Sequence, residues 1–343
     1  DTEVLTDQGW RRGIDVAEGD LVAQWSSEDG SVGLAPVQQT FRAPWDGPMR
    51  VLRNADTDQV LTPNHRVYHR ALRRRMAEGR RRSRWSDWQV GEAGALSSWQ
   101  PVRLPVAGSH DGPGIGGDDY AALLGWVWTE GGFDPKGSGV RITQSSVNQA
   151  KCDEIAALMD RLGPHKRYDR DRTYEGRSYV ESTWFFTGDL ARRVRADLPG
   201  KHPTYDLLWR MTRSEKEAML RASMLGDGSG WGTKSQQFHQ KDEADLVWFQ
   251  ALLALTDRAG TVSRSTCESA PRRSCRPVTS VTTPSTTRAM SGVSRSRRAP
   301  SWRDATARCS SPATPASPRT WTCPRRSTRS VGRTSSSPRW PRP

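Results

Sequence analysis

The segment Leu123-Leu124-Gly125-Trp126-Val127-Trp128-Thr129-Glu130-Gly131 returns in pattern as Leu220-Arg221-Ala222-Ser223-Met224-Leu225-Gly226-Asp227-Gly228. Glu130 and Asp227 therefore occupy one position of a pattern repeated 97 residues later. The echo continues downstream. Ile142-Thr143-Gln144 is answered by Phe238-His239-Gln240, and a stretch ending Leu162-Gly163 by one ending Ala259-Gly260. An offset held over roughly forty residues marks a duplicated unit. Each acid closes an apolar run with helical period. Two such helices side by side would bring two carboxylates together at helix C-termini, where free carbonyls and partial negative charge also favour a cation. Paired oxygen ligands of this kind suit Mg²⁺ or Mn²⁺, and Mg²⁺ keeps several waters, so two carboxylates suffice. Gly125 and Ala222 are small enough to let the helices approach closely. Trp126 and Trp128 are bulky for such a seam, so some must face the core.

The elements that position these acids change character along the chain. Residues 1–109 read as short strands with tight turns and no long helical period, an all-β unit. Val4-Leu5-Thr6 and Trp10 flank Asp7-Gln8-Gly9, Ile14-Asp15-Val16 and Leu21-Val22-Ala23 flank Glu18-Gly19-Asp20, and stretches 37–43 and 49–53 flank Asp46-Gly47. Residues 110–117, Gly-rich with Pro113, read as a linker. Gly114-Ile115-Gly116 lacks the third glycine of a dinucleotide fingerprint. From Asp118 the period becomes helical, with a helix to Glu130, strand material to Thr143 and a helix from Asn148 to Leu162. Strands follow around Tyr168 and over 179–186, then helices over 190–198 and 205–209. The second copy opens at Ser214-Glu215-Lys216-Glu217, read as a capping box. Its helix runs to Gly226, followed by a strand over 236–240 and a helix over 243–258. The fold class is thus α+β: an all-β part, then over 118–262 a duplicated α/β unit with pseudo-two-fold symmetry, then a tail.

The tail, 263–343, is a different composition. Ser, Thr, Arg and Pro make up 58 of its 81 residues, and Leu, Ile, Phe, Tyr, Lys, His, Asn and Gln are absent. Such a segment cannot bury a core and reads as disordered, or as GC-rich DNA read out of frame from near codon 263. It also carries the charge. Seventeen Arg stand against Glu268 and Asp304, so the formal +14 of the chain lies here and the other 262 residues are nearly neutral. The high isoelectric point is therefore no argument for nucleic-acid binding, and local patches must carry that case. One such patch is the run from Arg66 to Arg84, nine Arg with one acid, Glu78. It reads equally as an auxiliary DNA contact or as an exposed, solvated loop. Of five Cys only Cys152 lies outside the tail, and no CxxC pair exists, which excludes a disulfide framework or zinc ribbon and suits a reduced, cytoplasmic protein. No apolar run approaches a membrane span, and no signal peptide is visible. The chain starts at Asp1 without Met and reads as a fragment or processed piece.

Taken together, these residues resemble a known family. Residues 1–9 look like the stretch just after an intein's first residue, and Thr62-Pro63-Asn64-His65-Arg66-Val67 like the intein Thr-x-x-His motif. The stretches 123–131 and 220–228 look like the two LAGLIDADG dodecapeptides, and 203–209, with Lys201 before it, like the segment leading into the second. The chain resembles a large intein: a Hint splicing domain over 1–109 carrying a LAGLIDADG (DOD-type) homing endonuclease over 118–262. Glu130 stands where the commoner residue is Asp. It reaches one methylene further and still ligates.

The resemblance implies a monomer that cuts a double-stranded DNA target site with Mg²⁺ or Mn²⁺ held by Glu130 and Asp227, with Lys201 near the scissile phosphate. Strands beyond the two helices would form a DNA saddle, with Lys136, Arg141, Lys166, Arg167, Arg170, Arg172, Arg177 and Lys234 as candidate contacts, mostly to phosphates. In splicing from host exteins, His65 would protonate the departing amide nitrogen and Thr62 would hold the peptide. No Asn follows Asn148, so a terminal Asn to cyclise is missing and self-splicing is not expected. Two alternatives are a LAGLIDADG-derived DNA binder without cleavage and a degenerate, inactive intein.

Overall fold

The computed structural model describes residues 2–53, 57–77, 80–97, 100–233, 236–263, 278–282 and 288–289. Strands β1 (Glu3–Thr6), β2 (Gly9–Arg12), β3 (Leu21–Trp25) and β4 (Val32–Pro36) form a sheet in the order β2-β1-β3-β4. β5 (Arg50–Arg53) and β6 (Asp58–Leu61) make a hairpin. The long β7 (Arg66–Ala77) pairs β9 (Gln89–Glu92) at its start, β10 (Val102–Arg103) at its middle and β8 (Arg80–Trp85) at its end. Leu52, Val67, Ala93, Leu96, Val102 and Leu104 form a small core beneath these strands.

This part differs from the sequence reading in three places. Residues 13–15 form a 3-10 turn instead of a strand. Arg12 bonds Asp15 at 2.8 Å, and Asp20 accepts from Arg11 and from the Ala17 N–H, so short-range polar closures win over the apolar triplet. Residues 37–43 form no strand. The strand lies earlier, at β4, and ends at Pro36, which has no N–H to continue a ladder. The Arg66–Arg84 run is two paired strands, not a loop.

The second half contains α1 (Asp118–Glu130), β11 (Gly131–Phe133), β12 (Val140–Ser145), α2 (Gln149–Leu162), β13 (Lys166–Tyr174), β14 (Arg177–Phe186), α3 (Gly188–Asp197), α4 (Tyr205–Arg210), α5 (Arg213–Gly226), β15 (Gly228–Ser229), β16 (Gln236–His239), α6 (Glu243–Ala254), β17 (Ala259–Ser263), β18 (Val278–Thr282) and β19 (Arg288–Ala289). Two four-stranded sheets result, β11-β12-β14-β13 and β15-β16-β18-β17. Both run first, second, fourth, third strand. β18 comes from the segment whose composition supports no core. It joins the sheet through backbone pairing with β16 and β17, which asks only for β-branched residues such as those of Val278-Thr279-Ser280-Val281-Thr282. Ser263 ends β17 and Arg288–Ala289 pair with β10, so these pieces of the expected disordered tail are also strands; the rest of it lies outside the described residues.

Helices α1 and α5 pack against each other. Leu123, Leu124, Trp126 and Val127 of α1 and Leu220 of α5 are wholly buried, as expected of a helix enclosed on all sides. A Cβ on Gly125 would lie 2.7 Å from Met219 O and 2.9 Å from the Ala222 methyl, so glycine is required where the backbones approach. Trp128 faces the core, edge-on to Trp248 at 5.2 Å. The N-cap of α5 is Thr212, not Ser214. Its hydroxyl accepts from Glu215 N, and Glu215 accepts from Thr212 N.

Residues 110–117 are pinned to the rest of the fold. The buried Glu215 carboxylate also accepts from Ile115 N at 2.9 Å and Gly117 N at 2.6 Å. Gly112 and Gly114 donate to Met211 O and Arg210 O. The first sheet docks on the same core: Leu5 and Val32 belong to one buried cluster with the α1 and α5 side chains, and the Trp209 indole donates to Thr6 O at 3.1 Å.

Candidate active site

The fold sets Glu130 as the last residue of α1 and Asp227 as the residue capping α5. Gly226 packs directly on Thr129, so the two helix ends are neighbours. Glu130 is largely buried, its side chain 25% exposed. Burial pushes its carboxyl above the ordinary range. Lys151 opposes the shift, Asp227 adds to it, and Gln144 and Lys201 oppose it. Each acid thus feels the other. Lys151 Nζ stands 3.8 Å from Glu130 Oε1 and donates to Gly226 O at 3.0 Å. Lys201 Nζ donates to Thr129 O at 3.3 Å. Burial lowers the Lys201 pKa, while Asp227, Glu130 and Asp245 pull it back up. Each helix C-terminus therefore holds one carboxylate and one ammonium, in keeping with its partial negative charge.

Gln240 Nε2 donates to Asp227 Oδ2 at 2.7 Å and His239 N to Asp227 O, fixing that carboxylate. Gln144 lies near Glu130 at the equivalent point of the repeat, but its Nε2 makes no hydrogen bond and its Oε1 accepts from Ser145 N at 2.9 Å. The repeat had exposed both glutamines as an echo without revealing their proximity to the acids. Lys151 had no signal in the sequence: it sits in the first turn of α2, and only the packing of α2 beside α5 turns it inward. Lys201 adopts φ 74° directly after Gly200 at φ 63°, a left-handed pair that aims the side chain at α1. A non-glycine residue there costs about 1–3 kcal/mol.

These oxygen donors fit a small hard cation. Among the described residues no group of three or more His, Cys, Asp and Glu exists, so an ion here would be held by Glu130 and Asp227 and would keep waters.

The sheet β11-β12-β14-β13 has two unlike faces. Val140, Ile142, Trp184 and Phe186 are buried on the face toward the helices. The register puts Arg141, Lys166, Arg170, Arg172 and Arg177 on the outer face with Tyr168 and Tyr174, each more than half exposed. Arg172 is bonded there to Glu181 at 2.9 Å. Lys136 lies exposed in the turn between β11 and β12. Arg167 departs from the expected set. Alternation turns it to the inner face, over Trp184 and bonded to Asp169 and Ser182. Lys234 lies outside the described residues. In the second sheet the outer positions Ser229, Gln237 and Thr261 carry no cation.

Thr62 and His65 form a turn between β6 and β7, with His65 N donating to Thr62 O and Ala93 N to His65 O. His65 is exposed. They lie on the β-rich part, and among the described residues neither is hydrogen-bonded to Glu130 or Asp227. His69 is buried and engaged with Val67 O and Gln89.

No family model matches the chain. Over 68 residues it is 35% identical to the ATP-dependent Clp protease proteolytic subunit of Chlamydomonas moewusii, which covers 20% of this chain and 7% of that protein's length. Among solved structures it is similar to the homing endonuclease I-DmoI, at 15% identity and a TM-score of 0.34, over 48% of this chain and 88% of that one. It is also similar to the homing endonuclease I-WcaI bound to its DNA recognition sequence, at 12% and 0.37, over 49% and 77%. A third is the N-terminal LAGLIDADG domain of DUF199/WhiA, at 14% and 0.33, over 48% and 74%.

Proposed function

We propose that this chain is an intein-type protein whose second half is a metal-dependent, site-specific DNA endonuclease. The observation that carries this reading is the meeting of Glu130 and Asp227 at the ends of two packed helices, each beside a lysine. The equal strand order of the two sheets supports a duplication, and the cationic outer face of the first sheet supports a DNA contact. A divalent ion bound by the two acids would supply an activated water and charge neutralisation at the phosphate. The chain's own residues do the rest. Gln240 orients the Asp227 carboxylate. Lys151 and Lys201 bring positive charge to the phosphate oxygens as charge builds on them. Residues 1–109 are read as a Hint relative in which Thr62 would hold the peptide and His65, exposed on its turn, would donate a proton, with self-splicing not expected of this chain.

The test is selection of cleaved duplexes from a random DNA library with Mg²⁺ or Mn²⁺. Asp227→Asn and Glu130→Gln should abolish cleavage and spare binding. Cleavage by both variants at the wild-type rate would sink the metal site. A second reading, a DNA binder without cleavage, draws on Lys151, which already neutralises Glu130. Duplex binding with no cleavage in any divalent metal would select it.

A further inference from the structure

We propose that the β7–β8 hairpin is a second duplex-DNA-binding element, separate from the sheet of the endonuclease half. In the register of the hairpin Arg73 stands opposite Arg84, Arg75 opposite Arg82, and Arg80 opposite Ala77. Directly opposed residues share a face, as do residues two apart on a strand. Arg73, Arg75, Arg80, Arg82 and Arg84 therefore form one exposed face. The described residues of the hairpin, 66–77 and 80–85, contain no acid. Asp87, beyond its end, faces Arg70 at 4.0 Å.

Arg73 and Arg84, like charges set directly across the ladder, destabilise it. A polyanion removes that repulsion. The spacing selects which one. Same-face residues recur every ~6.7 Å along a strand and the strands lie ~4.8 Å apart, so the arginines form a two-row array. A two-stranded ribbon fits the ~12 Å major groove of B-form DNA, whereas the deep, narrow major groove of A-form RNA excludes side chains. Single strands are held by stacking on successive aromatic side chains; by register the described residues 73–77 and 80–84 place none on this face, and Trp85 and Trp88 border one side of the arginine cavity. Trp85 pairs Leu72 on the opposite face and lies beneath the Arg103 guanidinium at 4.1 Å.

The experiment measures binding of the full chain to a short mixed-sequence DNA duplex across a salt series, without divalent metal. Changing the five arginines to Gln should weaken binding more than tenfold and reduce the salt slope by about 2–5, since each phosphate contact contributes about 0.9. The five Arg→Lys changes should keep the slope, which separates charge from folding. In the unaltered chain, duplex should protect these arginines from phenylglyoxal. An unchanged slope with no protection overturns the proposal, as does tighter binding to single-stranded RNA or to anionic vesicles. A parallel variant, Lys166→Gln with Arg170→Gln and Arg172→Gln, tests the sheet. Loss there alone leaves the endonuclease reading standing without the hairpin, and loss in the hairpin alone does the reverse.

Discussion

At the scale of single residues, Glu130 is held in a conflict that a divalent ion would resolve. Its carboxyl is pushed up by burial and by Asp227. A carboxyl with a raised folded-state pKa adds stability below its unfolded pKa and loses it as pH rises through the folded value. At neutral pH the charge is therefore a cost in the metal-free protein. Glu130→Gln should raise metal-free stability by about 0.5–2 kcal/mol at pH 7, a trade of stability for activity. In acid, below the ordinary carboxylate range, the two proteins should converge. Denaturant unfolding at both pH values reads this. The same change should lower cleavage at least ~10²-fold, the scale of losing one charged contact to a transition state. Wild-type cleavage should fall as pH drops through the raised Glu130 value. Mg²⁺ should raise the melting temperature of wild type and not of Glu130→Gln; equal shifts would place the ion elsewhere.

At the scale of elements, the contact of α1 with α5 decides whether the acids meet. Gly125→Ala puts a methyl against Met219 O, which is backbone and cannot swing away. It should cost about 1–3 kcal/mol in urea unfolding, the scale of overpacking. Glu215 is the second joint. Burial pushes its carboxyl up, but the N–H groups of Thr212, Gly117, Ile115 and Gly116 outweigh this and hold it below the usual range. A depressed carboxylate stabilises above its unfolded pKa, and that stability is lost as pH falls through the folded one. Glu215→Gln should therefore cost about 1.5–3 kcal/mol at pH 7, with the gap closing in acid. A pH-independent gap would assign the loss to shape alone.

Most helices were legible because α1, α2 and α5 carry apolar residues at helical spacing and the repeated sequence pattern let one stretch be checked against the other. The N-cap was misplaced by two residues because Thr212 and Ser214 are both good caps and only the fold brings residues 115–117 onto Glu215. Glu130 and Asp227 were legible from pattern. Lys151 was not, because its place depends on α2 crossing to the end of α5, and no local rule reports that. The β7–β8 hairpin was hidden by its own charge. A run of arginines reads as solvated whether or not its backbone is paired.

At the scale of the whole molecule, the first sheet and the helical second part share a core, while the strands over 50–104 keep a small core of their own. Trp209 is buried, donates to Thr6 O, and stands edge-on to His110 at 4.8 Å. Gly108 N donates to Ala254 O, and Tyr205 packs against Gly9. Thermal unfolding should therefore proceed in one transition reported alike by the first sheet and the helical part. Trp209→Phe, which keeps an aromatic side chain but removes the indole donor and part of the buried ring, should cost about 1–3 kcal/mol. Two separate calorimetric transitions would show that the parts are energetically independent.

The position of β18 has a consequence for partial chains. It lies between β16 and β17, so both depend on a strand made after everything else in the sheet. A nascent or clipped polypeptide stopping short of Val278 would carry two open strand edges facing one gap. Open edges recruit other chains. Such products should self-associate, or accept an extended peptide in the gap, and a synthetic peptide spanning residues 278–282 supplied in trans is the natural candidate to restore a soluble monomer.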